Sequence, residues 1–164
     1  MFPAITEVRY LGILRSMRIE RATHEDFLEI LHDLADFWSS SGPPNRTLPY
    51  HYPFLVHEFA DTAFVVREDD TVIAYLFGFV ATAEPVGYIH LVGVRAAHQG
   101  TGIGRALYEH FAVIARERGC THVRAVTAPF NTDSGVPRRD GLRGDRALAD
   151  ARGTADLRRL PRSR

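Results

Sequence analysis

One cysteine, Cys120, stands in 164 residues. A lone thiol builds no disulfide framework and no cysteine metal cluster, and it fits a reducing, cytoplasmic setting. Surplus charge is missing too: Lys and Arg total 20, Asp and Glu total 20, and the formal net charge is +0. Bulk attraction to nucleic acid or to a membrane surface is not expected, so any anion site has to be local. No apolar run is long enough to span a bilayer. The N-terminus lacks the basic-then-apolar pattern of a secretory signal. Nothing aromatic follows Phe130. The rest is ordinary globular text, 45% hydrophobic and 24% charged, long enough for one domain with a real core.

The chain is organised around residues 91–107. An apolar, β-branched stretch ends at Val94, a short polar connection follows, and Gln99-Gly-Thr-Gly-Ile-Gly104 opens a long amphipathic pattern. A strand that feeds glycines at a helix N-terminus can hold phosphate. The first-turn N–H groups lack intrahelical partners, the helix dipole adds positive potential, and glycine lets an anion approach the backbone. A Walker loop needs Gly-Lys-Ser/Thr, whereas Gly104 is followed by Arg105 and Ala106. A dinucleotide fingerprint needs G-x-G-x-x-G early in the chain with an acidic residue about 20 positions on. The glycines at 100, 102 and 104 have neither the spacing nor the partner.

Before this loop, Met17 to Ala22 alternates as a strand. Thr23 is placed as an N-cap with Asp26 as its capping-box partner, ahead of a helix with Phe27, Ile30, Leu31, Leu34, Phe37 and Trp38 on one side. Residues 45–60 are rich in aromatics and histidines and read as a loop with a short helix from Pro53 to Phe59. Strands follow over 62–67, 72–83 and 88–94, an antiparallel meander. The loop's helix spans 102–118 and Gly119 closes it. A strand at 122–127 then makes a parallel strand–helix–strand unit with a right-handed crossover. Residues 1–16 read either as an extra strand or as an N-terminal extension, the extension being preferred.

The central stretch resembles the acyl-CoA motif of the GNAT superfamily of N-acetyltransferases, V-x-x-x-x-(Arg/Gln)-x-x-G-x-(Gly/Ala). Val94, Gln99, Gly102 and Gly104 occupy its positions. The resemblance covers residues 17–131. It implies an α+β fold of three-layer type: a mixed, mostly antiparallel sheet with a parallel unit at the cofactor site. It also implies acetyl transfer from acetyl-CoA, as co-substrate and without a metal, to a primary amine of a small molecule or peptide. The backbone of Val92, Gly93 and Val94 would pair with the pantetheine arm. The amides of Gln99, Gly100, Thr101, Gly102, Ile103 and Gly104 would hold the pyrophosphate, aided by the Arg105 cation. Asn131 matches a family Asn on the cofactor arm, or else it is a helix cap.

The general base is read as His90. It lies two residues before Val92, so strand alternation puts it on the face of the pantetheine positions. The competing reading is a hydrogen-bonded histidine within the sheet. Tyr88 and Glu84 are weaker candidates, and His51 and His57 could act through water. His51, His57, His90 and His98 lack the spacing of a metal site.

After Asn131 the family pattern stops. Residues 132–164 are dominated by Arg, Asp, Gly, Ala and Leu, with neither strand alternation nor a firm apolar stripe. The family's next helix and last strands are not recognisable. Val136-Pro137 can be encoded so that the next frame spells Phe, and Gly141 to Gly144 so that it spells Gly-Phe-Glu, at the family's spacing. This Arg-rich tail is therefore read as frame-shifted text, against the alternative of a genuine divergent or disordered tail. Loss of the last strands would leave an open sheet edge, which favours a homodimer. It also leaves a second function open: an acyl-CoA-binding remnant with little or no turnover.

Overall fold

Thr23 opens the first helix as its sequence predicts. Its hydroxyl oxygen accepts from the Asp26 N–H (3.2 Å), and Asp26 Oδ2 accepts from the Thr23 N–H (2.8 Å). This reciprocal box satisfies donors that the first turn leaves open. In the computed structural model, which describes residues 6–7, 17–38, 47–81, 83–125 and 154–156, the expected single helix is divided. Helix α1 runs His24–His32, Asp33 forms a turn, and α2 is one turn, Leu34–Phe37. Phe37 is buried beyond that break, and Trp38 reaches into the sheet to donate to Tyr75.

The strands are β1 (Thr6–Glu7), β2 (Arg18–Arg21), β3 (Ala63–Glu68), β4 (Thr71–Val80), β5 (Val86–Val94), β6 (His122–Ala125) and β7 (Thr154–Asp156). They form one sheet in the order β1-β2-β3-β4-β5-β6-β7. All neighbours are antiparallel except β5 and β6, which are parallel. The connection between those two is α4, Ile103–Glu117. A 3-10 turn (Leu48–Tyr50) and the short α3 (Phe54–His57) precede β3. The expected α+β architecture and its parallel unit are therefore present.

Two cores explain the three layers. Leu107 and Phe111 of α4 pack with Phe64, Leu76, Ile89 and Val123 on one face of the sheet. Phe27, Ile30, Leu34, Phe37 and Leu55 pack with Val65, Tyr75 and Phe77 on the other. Strand β4 is buried from Val72 to Gly78, which is why its text is continuously apolar instead of alternating.

An open outer edge on β6 was expected, and Thr154–Asp156 corrects this. These residues pair antiparallel with His122–Arg124. Edge N–H and C=O groups take any extended segment, so three ladder pairs need no alternating side-chain pattern. At the far edge Thr6 and Glu7 pair with Ile19 and Arg18, so a short strand does lie within 1–16. The remaining expectations for 1–16 and for the tail lie outside the described residues.

Candidate functional site

Strand β5 is longer than its parallel partner. Pairing with β6 runs from Val86↔His122 to Ile89↔Ala125. Beyond that, among the described residues, no strand covers this side of His90–Val94. Register decides which groups face the opening. The Arg95 N–H donates to Ile73 O (2.9 Å), and Tyr75 faces Gly93. Alternation then gives the Gly93 N–H and C=O to β4 and turns those of Val92 and Val94 to the open side. The Val94 carbonyl already accepts from Gln99 Nε2 (3.0 Å). Of the three residues read as pantetheine partners, Val92 and Val94 therefore present backbone groups. Gly93 does something else: a Cβ there would lie 2.3 Å from the Tyr75 ring, so its absence makes room for that tyrosine.

Past Arg95, a 3-10 turn (Ala96–His98) leads into the glycines. Gly100 and Gly102 have φ of 76° and 91°, a left-handed conformation that side chains resist. Gly102 is the N-cap of α4, and no side chain caps it. The first helical bond is Ala106 N–H to Gly102 O (3.0 Å). The N–H groups of Ile103 and Gly104 come before it and point out of the helix end. The Thr101 hydroxyl donates to His98 O (2.6 Å) and so braces the loop. The Ile103 side chain belongs to the core, so only its backbone can serve an anion. Arg105 Nε bonds Glu109 Oε1 (2.9 Å) along the exposed helix surface. An uncapped fifteen-residue helix behind two left-handed glycines is a donor set that fits a pyrophosphate.

His90 needs a correction of geometry. Phe77 pairs with Leu91 and Gly78 with Ile89, so His90 is the extra residue of a β-bulge. The bulge breaks the alternation that placed His90 with Val92. Ile89, Val92 and Val94 pack on the α4 side, while Leu91 packs on the α1 side. His90 turns to the segment before α3: its Nε2 lies 2.9 Å from Tyr50 O, and its ring is 6.3 Å from that of Tyr52. A carbonyl accepts only, so Nε2 carries the hydrogen and Nδ1 holds the lone pair.

That segment is fixed from below. His51 Nδ1–H donates to Thr47 O (2.9 Å), the Tyr75 hydroxyl donates to His51 Nε2 (2.7 Å), and Trp38 Nε1–H donates to the Tyr75 oxygen (2.7 Å). Every polar atom of this buried chain is satisfied in one tautomer. Burial lowers the His51 pKa to about 4 and raises that of Tyr75, so both stay neutral. His51 is therefore structural. His57 stacks on His24 (5.1 Å), and His98 Nε2 meets Glu68 (3.2 Å). The four histidines thus have separate partners. Tyr88 and Glu84 are both held by Arg124 Nη1, at 2.8 Å and 3.3 Å. Asn131 lies outside the described residues.

Sequence reasoning missed Arg95, the residue that joins the strand to the loop. Its Nε donates to Val72 O (2.6 Å). Its terminal nitrogens meet Asp33 (2.6 Å), Asp36 (3.1 Å) and Glu29 (3.3 Å), and its carbon sits 4.8 Å over the Phe37 ring. Glu29 also accepts from the Val72 N–H (2.8 Å). The guanidinium thus ties α1 and α2 to the strand end where the glycine loop begins. Burial works against its charge, but the carboxylates outweigh burial and raise its pKa, while Arg95 first and His32 second lower that of Asp33. The one sequence signal was a cation directly after an apolar strand.

Residues 25–135 match the family model described as acetyltransferase (GNAT) family. No curated protein matches the chain. Solved structures share the fold at low identity. The diaminobutyrate acetyltransferase from Paenibacillus lautus, solved with its substrate L-2,4-diaminobutyric acid and coenzyme A, is 19% identical with a TM-score of 0.58 over 72% of this chain and 69% of that one. A putative acetyltransferase from Pyrococcus horikoshii is 20% identical with a TM-score of 0.57, over 74% of this chain and 42% of that longer one. A GNAT family acetyltransferase from Brucella melitensis, solved with acetyl-CoA, is 19% identical with a TM-score of 0.51 over 68% and 76%.

Proposed function

The chain belongs to the GNAT acetyltransferase family, and from that premise we propose that it is an acetyl-CoA-dependent N-acetyltransferase acting on a primary amine of a small molecule or peptide. The observation that carries this reading is the half-covered β5 ending in an uncapped helix behind Gly100 and Gly102. The N–H groups of Ile103 and Gly104 would take the pyrophosphate, with Gly100 and Gly102 clearing its approach. Val92 and Val94 would pair with the pantetheine arm as an added strand does. Bound there, acetyl-CoA supplies an already activated acyl group. The chain's tasks are then to align, to stabilise the oxyanion and to move a proton.

His90 serves the last task. Tyr50 O holds its Nε2–H, which leaves Nδ1 as the basic atom to accept the ammonium proton. The freed amine adds to the thioester carbonyl, the C–S bond breaks, and the second proton that the nitrogen gives up on becoming an amide goes to the departing thiolate, which leaves as the free thiol. Donors for the carbonyl oxygen would come from the backbone N–H groups that β5 turns to its open side. Among the described residues no helix is long and apolar enough to cross a membrane. Arg105 and Asn131 remain cofactor contacts of this reading by motif position.

A second reading is a CoA-binding remnant with little turnover. It draws on the loss of family pattern after Asn131, where the resemblance implies a Tyr on the next helix to protonate the leaving thiolate and no residue of this sequence matches it by motif. Titration calorimetry with acetyl-CoA tests both readings, and absence of binding would end both. Thiol release over a panel of amines separates them, because the remnant binds without release.

A further inference from the structure

We propose that the acceptor is a monoamine carrying an aromatic ring, held by an arc of aromatic side chains that begins and ends on β5. The proposal rests on the acetyltransferase reading and names the acceptor class for the same site. From His90 the rings follow one another: Tyr52 at 6.3 Å, Phe54 at 5.6 Å, Phe59 at 6.0 Å, Phe79 at 5.3 Å and Tyr88 at 5.4 Å. Gly87 and Ile89 face α4, so Tyr88 faces away from it, toward the same side as His90. The arc thus returns to the strand it left, two residues from the candidate base.

Exposure gives the arc its purpose. Among the described residues five large apolar side chains are exposed, and Leu48, Tyr50, Tyr52 and Phe54, at 44 to 49%, are four of them. All four lie in the segment whose Tyr50 carbonyl holds His90. Such a concentration marks a contact surface.

Charge selects the occupant. Glu84 at the Tyr88 end is bonded to Arg124, and Asp61 is bonded to Arg118. Glu29, Asp33 and Asp36 are gathered on Arg95. The segment from 47 to 59 carries a single carboxylate, Glu58. A polyamine or aminoglycoside would find few counterions here. One ammonium finds ring faces that attract it, and an aryl body finds rings to stack on. The aromatic ring can belong to a free arylalkylamine or to the first residue of a peptide.

The test uses the full chain with acetyl-CoA and a thiol-release assay. Acceptors are phenethylamine, a short peptide with N-terminal phenylalanine, spermidine, 2,4-diaminobutyrate and an aminoglycoside. One aryl acceptor should exceed every polycation by about tenfold or more in kcat/KM, and the winning arm identifies the source of the ring. Tyr52→Leu and Phe54→Ala, both at exposed positions, should each lower that value about three- to tenfold through KM, with the calorimetric Kd for acetyl-CoA unchanged. Saturation-transfer NMR reads phenethylamine binding directly, without turnover. The proposal is overturned if a polycation is preferred, if the two variants leave the aryl KM unchanged, or if phenethylamine receives no saturation. A dimer that Tyr52→Leu splits without moving the aryl KM assigns the arc to a second copy instead. Failure to bind acetyl-CoA while phenethylamine still binds counts against the acetyltransferase reading and not against the acceptor class.

Discussion

Replacing Arg95 with Met keeps the stem and removes the fork. Val72, fully buried, loses the donor to its carbonyl, which alone costs about 1–3 kcal/mol. Three carboxylates lose their common counterion. Their side chains are 30%, 32% and 44% exposed, so water screens most of the repulsion and it adds about 1 kcal/mol. The expected loss at neutral pH is about 3 kcal/mol, a fall in Tm of about 6–12 °C for a domain of this size. The pH dependence is more telling. Asp33 is held below its ordinary value of 3.8 chiefly by Arg95. A depressed carboxyl stabilises the fold above its unfolded pKa, and that gain is lost as pH falls through the folded one. In Arg95→Met that depression is removed, so the variant has no such gain to lose in acid. The gap between the two proteins should therefore narrow as pH falls from 7 to below 3.8. Urea denaturation followed by Trp38 fluorescence measures it. A loss under about 1 kcal/mol at pH 7, or a gap equal at both pH values, would refute the reasoning. Arg95→Lys restores charge without the planar fork and should recover less than half of the loss.

Tyr75→Phe adds hydrophobicity yet should destabilise by about 2–3 kcal/mol, because it strips partners from Trp38 Nε1 and His51 Nε2 in the core; equal or greater resistance to urea would contradict the network. His51 titrates near 4 when folded against 6.5 when free, so its contribution is full above pH 6.5 and fades as pH falls from 6.5 to 4. His51→Gln should flatten Tm across that window, and an unchanged slope would remove His51 as its source. Gly102→Val forces a branched side chain to φ of 91° at the helix cap; calorimetry should show at least about tenfold weaker acetyl-CoA binding. His90→Gln keeps an N–H for Tyr50 O but no base, so kcat should fall about 10²- to 10⁴-fold at neutral pH with CoA affinity intact. Retention of kcat would pass the role to another group.

Features carried by neighbours in sequence were readable. Thr23 and Asp26 announce the first helix, Gly102 and Gly119 bracket α4, and the apolar run of β4 shows that both its faces are covered. The site's finer geometry depends on partners far along the chain. The bulge at His90 arises from the way β5 is counted against β4, and no residue at 90 signals it. One misplaced residue reverses a face, so the alternation argument failed at His90. Arg95 meets carboxylates 59 to 66 positions away, and Trp38 meets Tyr75 at a separation of 37. The pairs of Asp36 and Trp38 also depend on the helix break at Asp33, which sets the direction of α2.

The strand order carries a consequence for how this chain tolerates change. Each strand's neighbour in space is also its neighbour in sequence. Among the described residues the terminal strands β1 and β7 lie at the two edges of the sheet, so the ends are margins and β3 to β5 are the text. Damage confined to one margin need not spread inward, because the central ladder closes by short connections before the last residues are made. A sheet so ordered can lose or rewrite an end during descent and still hand on its glycine loop unaltered. The abrupt change of character after Asn131 beside an orderly β5 and α4 is the kind of history such a layout permits.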